Sequence, residues 1–392
     1  KFIIMKLGIV TAFPPSKVTL NEYAYHLVKN FVKNEAIIEI FLFTDKTIAQ
    51  KTLDFPYSEK VTVVECWSFN SYNNFFSISN AIKDIKPEQV LFNLQFMKFG
   101  DKKIAAALGL LLPIYSRLLG MKTTVLIHNI LETVDLKKSG FVRNKTATFF
   151  YKSIGYILTE FILGANTVAV TIPKYKRILE KKYNANNVVV IPHGTFEIPD
   201  IPKYKIPKGA KKIMAFGKFG TYKKVEILIE AVKRVRQRTG EVLEIVVAGT
   251  NNPNTPNYLQ SVKKKYKNLS GLTFTGYVAE EKVAKLFKDS SVVVFPYTST
   301  TGSSGVLHQA GSYGKAVVLP NIGDLKELVT EEAYRGEFFN ASDVESLAMA
   351  IQKIVLNDLY RIELGKINYK AATIFPMRKI CDLYINVFKE AV

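Results

Sequence analysis

KIMAFGKFGTYKKVEILIEA, residues 212–231, is the stretch on which the reading of the fold depends. Lys212–Phe216 is a short, largely apolar run of strand character. Gly217-Lys218-Phe219-Gly220 and Thr221-Tyr222-Lys223-Lys224 follow as a glycine-bearing turn, and Val225–Ala231 opens a helix. Strand, glycine turn and helix in that order form the building block of a parallel sheet. Such a turn aims backbone N–H groups at an anion bound at the helix start. Lys218 and Lys223 flank it, placed to clamp a diphosphate; taken alone, the run equally suits a solvated helix start.

The same alternation runs outward in both directions. Strand patterns fall at 6–11, 37–43, 61–65, 89–93, 123–128, 167–170 and 188–191, and again at 212–216, 243–248, 272–275, 292–295 and 316–319, with helical patterns between them. Continuous apolar strands such as Val292–Phe295 suit sheets covered on both faces. The expected class is α/β, with doubly wound parallel sheets. At 392 residues the chain is long enough for two domains. Pro192, Pro199, Pro202 and Pro207 crowd the midpoint and read as a linker. The expected domains are 1–195 and 208–370, with 371–392 a C-terminal helix crossing back to the first.

Ligands of open parallel sheets bind beyond the carboxyl ends of the strands. There the second half carries another signal. Phe295-Pro296-Tyr297 leads into Thr298-Ser299-Thr300-Thr301-Gly302-Ser303-Ser304-Gly305, and a helix from Val306 leads out. Small polar residues and glycines at a helix N-terminus make a phosphate cradle; a plain surface loop is the other reading. Asp-x-Asp, His-Glu-x-x-His and Gly-x-Ser-x-Gly do not occur, so no metal site is expected.

Together these stretches resemble the donor half of glycosyltransferase family 4, the retaining enzymes of the GT-B fold. Gly217-Lys218-x4-Lys223 matches the family's Gly-Arg-x4-Lys turn with Lys for Arg, and Thr275-Gly276-Tyr277-Val278 matches its Gly-Tyr turn. Thr301–Ala310 and Gly314–Val318 align with its Glu-Gly-Phe-Gly-x4-Glu-Ala and Gly-Lys-Pro-Val-Val segments. Ile322–Val329 resembles the Gly-Gly-x-x-Glu segment that supplies Glu327. The family's two glutamates fall on Thr301 and Gln309: Gln309 retains hydrogen-bonding capacity for a ribose, whereas Thr301 supplies no charge.

The resemblance implies two Rossmann-like domains facing a central cleft. It also implies a metal-independent hexosyltransferase that takes a UDP- or GDP-sugar as substrate and needs no cofactor. Lys218 and Lys223 would serve the diphosphate. Gly217, Gly276, Tyr277, Thr301, Gly302, Ser303, Ser304, Gly305, Gln309 and Glu327 would line the donor site. His128, ending a strand in Ile127-His128-Asn129, falls where the family keeps a histidine beside sugar and phosphate. Pro192-His193-Gly194 matches its Asn/His-Gly before the linker. Phe13-Pro14-Pro15 follows the first strand as in the family, but Val18-Thr19 stands in place of its Gly-Gly pair. A non-catalytic sugar-nucleotide-binding subunit and a sugar-nucleotide epimerase are the alternatives.

Fifty-four Lys and Arg against 34 Asp and Glu give a net charge of +20, a field that attracts polyanions. No nucleic-acid-binding motif accompanies it, so the expected partners are the nucleotide-sugar, a glycan or lipid-linked acceptor in polysaccharide biosynthesis, and an anionic membrane surface. The apolar helices near 104–119 and 151–163 are the candidates for docking, or else are buried in the first domain. Two distant cysteines, Cys66 and Cys381, suit a reducing compartment. The N-terminal apolar run, stopped at Pro14-Pro15, reads as a strand rather than a signal peptide. The expected location is cytoplasmic, peripheral on the inner face of the cell membrane.

Overall fold

The structure, a computed structural model, describes residues 4–49, 51, 53–133, 145–252, 254–299 and 304–390. The first sheet comprises β1 Met5–Val10, β2 Ile37–Asp45, β3 Val61–Trp67, β4 Gln89–Leu94, β5 Lys122–Ile127, β6 Thr167–Val170 and β7 Val188–Val190. The second comprises β8 Lys211–Phe219, β9 Leu243–Asn251, β10 Leu272–Gly276, β11 Val292–Val294, β12 Ala316–Pro320 and β13 Glu337–Phe339. Helices α1 Asn21–Phe31, α2 Asn74–Ile85, α3 Lys103–Leu110, α4 Leu112–Leu118, α5 Lys145–Leu163 and α6 Pro173–Tyr183 accompany the first sheet. Helices α7 Val225–Thr239, α8 Tyr258–Lys265, α9 Glu280–Asp289, α10 Gly305–Ser312, α11 Gly323–Glu331, α12 Val344–Val355 and α13 Asp358–Ala372 accompany the second, and α14 Met377–Glu390 ends the described chain.

Both sheets are parallel, in the orders β3-β2-β1-β4-β5-β6-β7 and β10-β9-β8-β11-β12-β13. Each reverses its direction of growth once, between β1 and β4 and between β8 and β11. At such a switch point the two following loops diverge to opposite faces and leave a crevice at the strand ends. The loops after β1, β4, β8 and β11 therefore border these crevices.

The chain divides into two compact units, Lys1–His193 with Met377–Val392, and Gly194–Pro376. In the first, α14 lies on α1: Phe31 meets Tyr384 and Phe388 at ring-centre distances of 6.2 Å, and Cys381 Sγ donates to the Leu27 carbonyl at 3.5 Å. In the second, Val225, Leu228, Ile229, Val232 and Val235 of α7 are fully buried. Their three-to-four-residue spacing makes one apolar stripe against the sheet, each side chain contributing about 1.5–3 kcal/mol by burial.

The second unit begins at Gly194, within the proline-rich stretch rather than after it. Thr195 donates to the carbonyls of Phe375 and Ala372, both at 2.8 Å, Tyr369 Oη donates to the Pro199 carbonyl at 2.9 Å, and Tyr204 Oη to that of Gly365 at 3.4 Å. Residues 195–204 are thus held to α13 and its end instead of spanning freely. Strand β13 has no counterpart in the sequence reading: β7 and β11 are equally short but each is a run of three valines, whereas Glu337-Phe338-Phe339 begins on a charge and forms no continuous β-branched run.

Candidate active site

The second switch point brings both glycine-bearing segments together. Gly217 and Lys218 do not belong to the turn, as the sequence suggested: β8 stays in register with β9 through Lys218↔Thr250 and Phe219↔Asn251. The reason is a pair of glycines. Gly217 (φ +127°) and Gly249 (φ +134°) face each other across the two strands, and a Cβ on Gly249 would overlap the Gly217 carbonyl. Only glycine accepts both that φ and that approach. The strand therefore runs on, and the turn is Gly220–Lys224.

That turn is fastened to the segment after β11. Lys224 N donates to the Pro296 carbonyl at 2.9 Å, Thr298 N donates to the Tyr222 carbonyl at 2.8 Å, and Lys223 forms an antiparallel bridge with Tyr297. The Lys223 side chain is buried. Its ammonium sits 4.7 Å from the Tyr297 ring centre and 5.8 Å from that of Tyr222. A Cβ at position 217 would stand 2.8 Å from Lys223 Nζ, so the missing side chain makes room for the ammonium. Among the described residues no carboxylate lies within ion-pair distance of it. A desolvated cation against two aromatic faces is partly offset by cation–π attraction and remains available to an anion.

Lys218 is exposed on β8, and Lys224 turns to its own loop, donating to the Gly220 carbonyl at 2.6 Å with its ammonium 4.9 Å from the Tyr258 ring centre. Ser304 is the N-cap residue of α10 without a side-chain cap bond to the helix; its hydroxyl instead pairs with Tyr297. Gly305 opens α10, and Gln309 lies half-buried on it. Gly276 (φ +69°) ends β10, followed by Tyr277 at 82% exposure; Glu327 is half-buried on α11. Thr301, Gly302 and Ser303 lie outside the described residues. Sequence reasoning assigned no role to Tyr297 or Gly249, because neither an aromatic floor nor a facing glycine has a fixed spacing from the lysine it serves.

The first switch point gathers a second cluster. His128 follows β5 directly; its N–H donates to the Leu94 carbonyl at 3.2 Å, and its Nε2 pairs with Asn93 Oδ1 at 2.8 Å. Asn93, at the end of β4, donates in turn to Thr11 Oγ1 at 3.0 Å. Tyr23 packs edge-on to both His128 and His193, at 4.6 and 4.8 Å. Burial first, then the charges of His193 and Lys98, hold the His128 pKa well below its ordinary value. The ring is neutral at physiological pH, with one nitrogen able to accept. Lys98, in the loop after β4, is fully buried and donates to the Thr19 carbonyl at 2.7 Å; burial lowers its pKa to about 7 against the pull of Asp45. Nothing in the sequence set Lys98 apart from the many other lysines. Among the described residues no three or more His, Cys, Asp or Glu side chains cluster as metal ligands.

Residues 210–357 match the family model described as Glycosyl transferases group 1. An uncharacterized glycosyltransferase of Methanocaldococcus jannaschii is 27% identical over 285 residues, 70% of each chain. Among solved structures, sucrose-phosphate synthase from Thermosynechococcus elongatus superposes with a TM-score of 0.73 at 16% identity, covering 98% of both chains. The Anabaena protein HepE, solved in complex with UDP-glucose, superposes with a TM-score of 0.67 at 14% identity, covering 98% of this chain and all of that one. The two parallel sheets and these neighbours establish the two-domain α/β GT-B fold. The family match and the archaeal relative support a glycosyltransferase of group 1.

Proposed function

We propose that this GT-B glycosyltransferase of group 1 is a retaining, metal-independent hexosyltransferase that moves a sugar from a UDP- or GDP-sugar to a glycan or lipid-linked acceptor. The observation that carries the reading is the buried Lys223 ammonium, held over Tyr297 and Tyr222 where the loops after β8 and β11 meet. As the glycosidic bond breaks, the diphosphate gains negative charge. A cation already desolvated at that point stabilises the transition state more than the ground state. Lys218, exposed near the end of β8, adds a second, solvent-screened positive charge.

The remaining roles follow from position. The amides and hydroxyls of 302–305 serve the phosphates at the start of α10. Gln309 serves the ribose, Glu327 the ribose or base, and Gly276 and Tyr277 border the nucleotide. His128, neutral and oriented by Asn93, accepts a hydrogen bond from the transferred sugar or contacts its phosphate. That HepE was solved with UDP-glucose favours a uridine donor. The excess of positive charge supports a location in the cytoplasm, on the inner face of the cell membrane, and a lipid-linked acceptor there would belong to polysaccharide synthesis.

A thermal-shift panel of nucleotide sugars tests the donor reading, since a ligand that binds only the folded state raises the melting temperature. One UDP- or GDP-sugar should raise it by several degrees at saturating concentration, and a panel that moves it nowhere would sink the reading. A second reading, a sugar-nucleotide-binding subunit without catalysis, is favoured by one observation: Thr301 and Gln309 occupy the positions of the family's two glutamates. It predicts the same shift with no nucleotide release.

A further inference from the structure

Helices α3, α4 and α5 carry apolar side chains that the first unit does not bury. Leu118 is 78% exposed, Ile104 65% and Ile157 52%, and Phe161, one turn beyond Ile157 on α5, is exposed as well. The ends of α4 and α5 adjoin: Arg117 donates to the Gly164 carbonyl at 2.9 Å, and a Cβ on Gly164 would strike Ile114. Leu118 and Phe161 therefore belong to one surface.

The rim of that surface is aromatic and basic. Tyr156 stacks on Tyr183 of α6 at 4.7 Å, and the Lys182 ammonium lies 5.6 and 5.0 Å from the two ring centres. From Lys102 to Leu131 the chain holds Lys102, Lys103, Arg117 and Lys122 and no carboxylate. Two acids adjoin the patch among the described residues, and both are engaged: Glu160 by the Tyr156 hydroxyl, and Glu132 by Lys182 Nζ at 3.1 Å and by the Tyr183 hydroxyl. This leaves Lys102, Lys103, Arg117 and Lys122 as the basic excess of this face. Aliphatic groups at the centre, with tyrosines and long cationic side chains around them, match the depth profile of a bilayer interface. Hydrocarbon would meet the aliphatic groups, the tyrosine rings would sit at headgroup level, and the ammonium groups would reach the phosphates. Among the described residues no helix is long and apolar enough to cross a membrane.

We infer that the α3–α4–α5 face of the first unit docks on an anionic lipid bilayer. The inference deepens the lipid-linked acceptor reading above, which gives it a purpose, and it commits to the membrane surface rather than to a second copy of the chain. Flotation with phosphatidylcholine vesicles, with and without phosphatidylglycerol, tests it on the full chain. The protein should float with the anionic vesicles only, and added salt should release it. Leu118→Ser with Ile157→Ser should lower the partition coefficient about tenfold or more, because both side chains lose their apolar contact with the interface. Both substitutions are at exposed positions; an unchanged melting temperature confirms that the variant is folded.

Equal flotation with neutral and anionic vesicles, or none with either, overturns the inference. So does a concentration-dependent dimer that the double variant abolishes while vesicle binding stays absent. The nucleotide-sugar shift, measured on both proteins, separates the two readings: its absence from the parent defeats the donor assignment and leaves the vesicle result to stand or fall alone.

Discussion

Lys223 shows how much one side chain's surroundings decide. Lys218, Lys223 and Lys224 are chemically identical and lie within seven residues. One is exposed, one is buried over two tyrosines, and one is spent on its own loop's carbonyl. Only the second has lost its water without acquiring a carboxylate, so only it can deliver a charge at low local dielectric. Lys223→Ala should therefore lower kcat by about two to three orders of magnitude, the scale for removing one preorganised electrostatic contact. Lys224→Ala should leave kcat within about fivefold, because a hydrogen bond to a loop carbonyl is worth only about 1 kcal/mol. Steady-state kinetics on the two variants decides the point; equal losses would place the diphosphate elsewhere.

Among the elements, β8 and β9 matter most, since they place the turn. Their pairing runs through Phe219↔Asn251 only because Gly217 and Gly249 are both glycine. In Gly249→Ala the new methyl meets the Gly217 carbonyl and the backbone is held at φ +134°. Strain of this kind costs roughly 1–3 kcal/mol per site, and the steric overlap adds to it. Gly240→Ala is the matched control: φ is +71° at the end of α7, and nothing lies within 4 Å of the added Cβ. It should cost about 1 kcal/mol, the usual loss for a left-handed helix terminus. Urea denaturation should show a clearly lower midpoint for Gly249→Ala than for Gly240→Ala. Equal midpoints would mean the strands do not approach as described.

For the molecule as a whole, two buried groups give stability opposite slopes with pH. Glu332 lies 3.5 Å from His308 Nδ1, and burial, with Glu331 second, raises its pKa from 4.5 to about 8. Between those values the native chain holds a proton that the unfolded chain has released, so stability falls as pH rises through that window. Lys98 behaves in the reverse sense. With its pKa lowered from 10.5 to about 7, the native chain has released a proton that the unfolded chain keeps, and stability rises from about pH 7 to 10.5. Glu332→Gln should remove the decline between pH 5 and 8 and leave the alkaline rise. Melting temperatures measured across that range check it, and a variant that keeps the full decline would assign the slope to other groups.

The sequence by itself determined the α/β class, twelve of the thirteen described strands, the succession of strand, glycine turn and helix at residues 212–231, and the family resemblance. All of these are local: a buried strand shows as an apolar run, a helix as a period, and a phosphate-type turn as glycine between the two. Tertiary structure alone decided which lysine is desolvated, that the glycine stretch continues β8, and that Tyr297 forms the floor beneath Lys223. It also decided that 195–204 packs on α13, that Lys98 is the buried lysine beside the histidines, and that α3–α5 leave apolar groups uncovered. Each of these depends on residues brought close from distant parts of the chain. Burial, dielectric and steric room are properties of that neighbourhood, and no residue carries them in its own identity or in its spacing from the next.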